Sequence, residues 1–172
     1  MSKSVYCVDK IDEGKKEMIT AENKNTPAKR INIVSIKMVR EATILYNIRK
    51  ITSPADAVEL GKKILENSDR EHLWLLCLDT KNQPVALNEV SVGSLSCSIV
   101  HPREVFKAAI LSNAASIILF HNHPSGDPSA SNEDIKITTR LKECGEILGV
   151  PLIDHIIIGN EKYCSLKEKG IL

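Results

Sequence analysis

Aromatic residues are scarce in this sequence of 172 residues, where tryptophan, tyrosine and phenylalanine together make up 3%. The core must therefore be aliphatic, and few rings are available to stack on the bases of single-stranded nucleic acid. A charge excess of either sign is also missing, because 23 basic residues are balanced by 22 acidic ones. Nucleic-acid-binding domains typically carry a clear basic footprint, so we do not expect nucleic acid to be a partner of this chain.

Long hydrophobic runs are absent too. No apolar stretch approaches the roughly 20 residues that a bilayer-spanning helix needs, and the segment MSKSVYCVDKIDEGKK at 1–16 has no apolar signal-peptide region. We therefore expect a cytoplasmic protein without a membrane partner. The hydrophobic content of 42% and the charged content of 26% are ordinary for a globular chain, and the length suits one domain with an extension.

The cysteines form no metal-binding or redox motif, since none of them are spaced as a CxxC pair and their number is odd. They are Cys7, Cys77, Cys97, Cys144 and Cys164. In a cytosolic chain such cysteines are usually small core residues or free thiols. If the protein binds a metal ion, we therefore expect nitrogen and oxygen ligands rather than sulfur.

The first fifty residues differ in pattern from the rest of the chain. Residues 1–30 are rich in Lys, Glu, Asn and Asp, and we predict a flexible tail there. The β-branched run INIVSIKMV at 31–39 predicts a strand inside an extension that covers 31–52. We place the domain itself over 53–172.

Helical and strand patterns alternate along this domain. The apolar spacing predicts helices over 52–68, 102–114 and 131–149, strands over 72–79, 84–92, 93–100, 116–120 and 151–159, and a short strand with a helical turn in 162–172. Pro54, Pro102 and Gly149 stand where three of these helices begin or end. The alternation predicts an α/β fold with a mixed β-sheet flanked by helices.

The stretch HNHPSGDPSASNED at 121–134 directly follows the apolar strand SIILF. If the strand continues, His121 and His123 project to the same side, because residues i and i+2 share a face. Ser131 is a candidate N-cap, with Asp134 in the first helical turn, and the prolines and glycine between allow a tight return. Two imidazole nitrogens and one carboxylate oxygen suit zinc and leave a fourth position for water.

The same residues also have simpler interpretations. A His-x-His sequence can be a polar strand end, and the spacing of Ser131 and Asp134 is the one that a helix capping box uses. The capping interpretation does not exclude a catalytic one, because a capping serine accepts an N–H and keeps its own O–H to donate. Spacing and chemistry leave the metal site and the plain strand end open.

Several separated blocks carry a family resemblance. The motif at 121–134, the block HPREVFKAAI at 101–110 and the block DHIIIG at 154–159 resemble the RadC family of bacterial JAMM (MPN-plus) domain proteins, over roughly residues 53–172. The resemblance implies a JAB/MPN-like domain and one zinc ion per chain, held by His121, His123 and Asp134. It also implies that Ser131 hydrogen-bonds the tetrahedral intermediate.

The family's general base is a glutamate at the start of an earlier core strand. Glu71 in DREHLWLLCLD matches that position, whereas Glu89 in NEVSV is a rival that fits it less well. A solvated charge at a strand start is the simpler interpretation of Glu71. The resemblance implies a zinc metallopeptidase that cleaves a peptide or isopeptide bond in a protein or peptide substrate. Two alternatives are a non-enzymatic protein-binding scaffold and a DNA-repair-associated factor.

Parts of the family pattern are not carried over. RadC proteins usually have an N-terminal helix-hairpin-helix region, and the residues that precede the domain here lack its glycine-centred pattern. The ubiquitin specificity of eukaryotic relatives is not carried over either, because no long insertions are evident. His101, Arg103 and Asp154 receive no role from the sequence. His155 is either a satisfied core histidine or a partner that orients a zinc ligand.

Overall fold

The computed structural model describes residues 29–65, 68–93 and 100–172, and it divides the chain into two units, Met1–Lys37 and Met38–Leu172. In the first unit, the described residues 29–37 are exposed and form neither helix nor strand. The second unit contains the sheet and its helices. No helix in the described ranges is both long and apolar enough to cross a membrane.

Five strands form one mixed sheet among the described residues of the second unit. In chain order they are β1 (His72–Leu78), β2 (Pro84–Val92), β3 (Ser116–Asn122), β4 (Leu152–Ile158) and β5 (Tyr163–Ser165). Their order across the sheet is β2-β1-β3-β4-β5. β3 and β4 run parallel, and the other neighbouring strands pair antiparallel. The predicted α/β class with a mixed sheet is thus confirmed.

In the described ranges, three helices cover the two faces of this sheet. They are α1 (Pro54–Leu65), α2 (Pro102–Leu111) and α3 (Asn132–Leu148). Even-numbered residues of the central strands, such as Leu76 and Phe120, pack with α1. Odd-numbered residues, such as Leu75 and Leu119, pack with α2 and α3. Both faces of β3 are therefore buried, which explains why SIILF is a continuous apolar run rather than an alternating one.

The predicted strand at 31–39 is wrong. Residues 29–52 contain no helix or strand, and Ile31 and Val39 are 92% and 81% exposed. A β-branched run has only a preference for extended backbone, and it becomes a strand when another strand satisfies its N–H and C=O groups. No such pairing involves these residues in the described part of the chain.

The predicted helices and strands of the domain that fall on described residues are confirmed with small shifts at their ends. α1 begins at Pro54, where Ser53 Oγ accepts the Asp56 N–H at 3.3 Å, and α2 ends at Leu111 rather than at residue 114. Gly149 ends α3 in the left-handed conformation, with φ of 70°. The tail predicted at 1–30 falls mostly on residues 1–28, and the strand predicted at 93–100 mostly on 94–99. Both ranges lie outside the described residues.

Candidate metal centre

The centre begins where β3 ends. The strand stops at Asn122, but the backbone N–H of His123 still donates to the carbonyl of Ile158 at 3.2 Å, so the chain stays extended for one more residue. As predicted from the spacing, both imidazoles reach the same point, with the two Nε2 atoms 2.8 Å apart. The His121 side chain is fully buried, and that of His123 is 16% exposed.

Asp134 approaches this point from the first turn of α3. Its Oδ1 lies 3.4 Å from His121 Nε2, and its Oδ2 lies 3.6 Å from His123 Nε2. Ligand atoms of the three side chains lie within 4.8 Å of one another, which makes the group a candidate metal site. Odd-numbered positions of β3 face α3, so the sheet geometry explains how a helix can complete the set.

Ser131 holds the Asp134 carboxylate in place. It is the N-cap of α3: its Oγ accepts the Asp134 N–H at 3.1 Å, while its own N–H and O–H both donate to Asp134 Oδ2 at 2.7 Å. The capping box that the sequence suggested is therefore present. The capping box is compatible with a metal site, because the Asp134 carboxylate that takes part in it also faces the two histidines.

The loop between strand and helix orients His123. Its Nδ1 lies 2.7 Å from the backbone oxygen of Asp127. A carbonyl oxygen can only accept, so Nδ1 carries a proton and donates it, and Nε2 is the ring nitrogen that faces the cluster. Imidazole nitrogen and carboxylate oxygen are ligands that suit zinc. The residues present therefore fit the metal that the resemblance implied.

Burial keeps the inner histidines uncharged. Burial, together with a smaller contribution from the neighbouring His123, lowers the pKa of His121 from 6.5 to about 3. The pKa of His155, which lies behind His121, also falls to about 3, chiefly through burial and secondly through His121. Neutral imidazole is the form that binds metal, so His121 is ready to act as a ligand at neutral pH.

The register of β1 against β3 brings Glu71 to the centre. Leu73 pairs with His121 in the antiparallel ladder, and Glu71, two residues before Leu73, lines the same cavity as His123. Glu71 is partly buried and lines a cavity of about 350 Å³. The other lining residues are His123, Pro124, Ser125, Ser131, Glu133 and Asp134. The rival Glu89 is not among them, and its Oε1 lies 2.6 Å from His72 Nδ1.

The four residues without a predicted catalytic role lie outside this cavity. His101 caps α2, with Nδ1 accepting the Arg103 N–H at 3.3 Å. The buried Asp154 accepts hydrogen bonds from the Ser165 hydroxyl at 2.6 Å and from the Lys167 N–H at 3.1 Å, which ties β4 to the following segment. Burial raises the pKa of Asp154. His155 contacts His121 directly, as described below.

Three residues near the centre have no role in the sequence interpretation. Glu133 lines the cavity beside Asp134, Asn122 contacts the start of β1, and Thr138 contacts His155. Thr138 follows Asp134 by one helical turn, so the spacing alone places it on the same face of α3. Asn122 carries no comparable signal, because its partners lie about fifty residues earlier in the chain.

A mixed sheet whose strand end carries His-x-His against the first turn of a helix defines a JAB-type domain with a candidate metal centre. A family model described as the RadC-like JAB domain matches residues 51–171. The chain therefore belongs to the RadC-like JAB domain family.

Curated relatives agree with this assignment. A UPF0758 protein of Clostridium kluyveri is 56% identical over 123 residues, which cover 72% of this chain and 54% of the relative. One of Clostridium acetobutylicum is 57% identical over 123 residues, with the same coverage. One of Syntrophomonas wolfei is 46% identical over 162 residues, covering 91% and 69%. The chain spans about half the length of the two clostridial relatives.

Proposed function

We propose that this chain is a zinc-dependent metallohydrolase of the JAMM type that cleaves a peptide or isopeptide bond. The observation that carries the proposal is the cavity of about 350 Å³, whose lining includes Glu71 together with His123, Ser131 and Asp134. A hydrolase needs a proton acceptor next to the metal that is not itself a ligand. Glu71 meets this requirement, because it lines the cavity and does not belong to the ligand cluster.

His121, His123 and Asp134 would hold one zinc ion. Three protein ligands are the number that catalytic zinc sites use when they keep one position open for water or substrate. When bound, zinc lowers the pKa of a coordinated water to about 7 and polarises a carbonyl oxygen. The chain contributes neutral imidazoles whose positions are set by the strand end and by the loop carbonyl of Asp127.

Glu71 would move the proton. It takes a proton from the attacking water, whose oxygen then bonds to the scissile carbonyl carbon. It later delivers that proton to the amide nitrogen as the C–N bond breaks, so the products are a carboxylic acid and an amine. The partly buried position at the cavity wall allows contact with both water and substrate.

Ser131 would stabilise the developing negative charge on the carbonyl oxygen. Its hydroxyl lines the cavity and donates to Asp134 Oδ2 in the structure. Rotation about its Cβ–Oγ bond redirects that proton toward the substrate, while the Ser131 N–H continues to hold Oδ2 at 2.7 Å. The N-terminal end of α3 adds its partial positive charge at the same place.

The substrate class that we propose is a protein or peptide. We do not propose nucleic acid as a substrate, because the net charge is near zero and aromatic residues are few. The cytoplasmic location remains a prediction from the sequence. A binding scaffold and a DNA-repair-associated factor are the other candidates. No contact among the described residues specifically favours either of them.

The first test measures metal and then activity. Zinc content is determined by mass spectrometry on protein purified without a metal-affinity tag, for the wild type and for His123→Ala. We expect about one zinc per chain in the wild type and loss of zinc in the variant. The zinc-loaded protein is then screened against fluorogenic peptide and isopeptide libraries.

Two glutamate variants make the activity test specific. On any substrate that the wild type cleaves, Glu71→Gln should lower kcat by at least about 100-fold, the usual range for a general base. Glu89→Gln is the matched control and should keep its activity, because Glu89 pairs with His72 outside the cavity. Cleavage that survives Glu71→Gln would refute the assigned role, and absence of zinc after reconstitution would favour the scaffold.

A further inference from the structure

A buried chain of hydrogen bonds lies behind His121, on the side away from the cavity. His121 Nδ1 is 2.9 Å from His155 Nε2, His155 Nδ1 is 2.6 Å from Thr138 Oγ1, and that hydroxyl is 2.6 Å from the backbone oxygen of Asp134. Thr138, His155 and His121 are all at most 1% exposed. These hydrogen bonds therefore connect the ring of His121 to the backbone of Asp134, and the three side chains that form them are shielded from solvent.

The direction of these hydrogen bonds follows from their end point. Two oxygens 2.6 Å apart need a proton between them, and a backbone carbonyl has none, so the Thr138 hydroxyl donates to Asp134. The hydroxyl has then used its proton and must accept from His155. His155 Nδ1 consequently carries a proton.

The same logic continues to the metal centre. A metal ion bound at the centre would use the lone pair of His121 Nε2, the atom that faces His123 and Asp134, so the His121 proton would be on Nδ1. His121 Nδ1 would then donate to His155 Nε2, in the same direction as the donation from His155 Nδ1 to Thr138. Without a metal ion, the 2.8 Å contact between the two Nε2 atoms needs a proton on one of them.

We propose that Thr138 and His155 are positioning residues that fix His121 in the tautomer with its proton on Nδ1. The benefit of that tautomer rests on the proposed function, because only an unprotonated Nε2 can coordinate a metal ion at this centre. The opposite direction of the hydrogen-bond chain would place the proton on Nε2 and block it. His123 reaches the same tautomer separately, through the carbonyl of Asp127.

This proposal differs from a simple packing role for Thr138. If the side chain only filled space, valine would replace it, since the two have nearly the same shape. The chain offers a matched control one residue away. Thr139 lies on the same helix and makes the same type of bond, to the Ile135 carbonyl at 2.9 Å, but it is exposed and has no histidine partner.

The experiment compares zinc affinity in Thr138→Val, Thr138→Ser and Thr139→Val, by competition with a chromophoric chelator. Loss of an outer partner of a ligating histidine typically weakens metal binding by about 10- to 100-fold. We expect that loss for Thr138→Val, recovery to within about threefold for Thr138→Ser, which keeps the hydroxyl, and no change for Thr139→Val. Wild-type affinity in Thr138→Val would overturn the proposal.

A second measurement does not depend on zinc. Long-range ¹H–¹⁵N NMR of the imidazoles in the metal-free protein identifies which ring nitrogen of His155 carries a proton. We expect a proton on Nδ1 in the wild type and in Thr139→Val, and its shift to Nε2 in Thr138→Val. A wild-type His155 without a proton on Nδ1 would overturn the proposal. If His155 has Nδ1–H but zinc does not bind, the proposed function fails while the positioning role stands.

Discussion

Asn122 accepts a hydrogen bond from the backbone N–H of His72 through its side-chain oxygen, at 2.8 Å. The amide nitrogen of the same side chain donates to the backbone oxygen of Arg70 at 2.9 Å. The buried amide thus holds the backbone on both sides of Glu71. The residue between the two candidate histidine ligands therefore also positions the candidate base, although about fifty residues separate them in the chain.

Replacing Asn122 by alanine should destabilise this junction. Removing the amide leaves the N–H of His72 and the carbonyl of Arg70 without their partner, which typically costs about 1–3 kcal/mol. Urea unfolding measures the free energy, and hydrogen exchange measures the protection of the His72 amide. Asn88→Ala, on the neighbouring strand and exposed, should stay within about 0.5 kcal/mol. Full protection of His72 in Asn122→Ala would contradict the bridging role.

Metal removal should lower stability only when the ligands are intact. A metal ion that binds the folded chain alone stabilises it by about 2.7 kcal/mol at 100 times its Kd. We expect the thermal transition of the wild type to fall on addition of a chelator and to return with zinc. In His123→Ala, neither the chelator nor zinc should change the temperature of the transition. The variant His101→Ala, at the N-cap of α2, should respond like the wild type. A zinc response retained in His123→Ala would place the metal elsewhere.

The metal-free protein should lose stability in mild acid. The folded pKa values of His121 and His155 lie near 3, below the ordinary value of 6.5, because of burial. The unfolded chain therefore binds more protons, so their contribution is complete above pH 6.5 and is lost as the pH falls toward 3. Between pH 7 and pH 5, each of these two histidines should lower the free energy of unfolding by up to about 2 kcal/mol.

Urea unfolding in the presence of chelator at pH 7 and pH 5 measures this loss. His155→Gln removes one of the two groups, so the drop between the two pH values should be smaller than in the wild type. His101→Gln, an exposed histidine at a helix cap, should leave the drop unchanged. Equal drops in the wild type and in His155→Gln would show that the buried pair does not control acid stability.

The position of the loop that contains Asp127 depends on Gly159, a glycine in the connection between β4 and β5. A Cβ added at Gly159 would collide with the backbone oxygen of Gly126 and would approach Pro128 Cδ to 2.9 Å. Gly159→Ala should therefore displace the loop whose carbonyl orients His123, costing about 1–3 kcal/mol and weakening zinc binding about tenfold. Chelator competition and urea unfolding measure both effects.

Gly149→Ala is the control for that variant. Gly149 has φ of 70°, so alanine there is strained, but a Cβ would meet nothing within 4 Å. It should lower the free energy of unfolding by about 1 kcal/mol and leave zinc affinity unchanged. Unchanged zinc binding in Gly159→Ala would mean that the loop can move without disturbing His123.

The local sequence determined the parts of the centre that depend on short spacing. His121 and His123 share a face because strand residues alternate, and Ser131 caps the helix in which Asp134 stands because the capping box needs that spacing. Most helices and strands were predictable for the same reason. The strand predicted at 31–39 failed, since its partner had to come from elsewhere in the chain.

Only the tertiary structure decided which distant residues meet this centre. The antiparallel pairing of β1 with β3 brings Glu71 to the cavity that His123 also lines, whereas Glu89 contacts His72. The packing of α3 on β4 places Thr138 against His155. The sequence by itself determined the ligand pair, the capped aspartate and the alternation of elements, because these depend on neighbours along the backbone. The candidate base and the tautomer-setting contacts depend on strand register and helix packing, which sequence spacing does not encode.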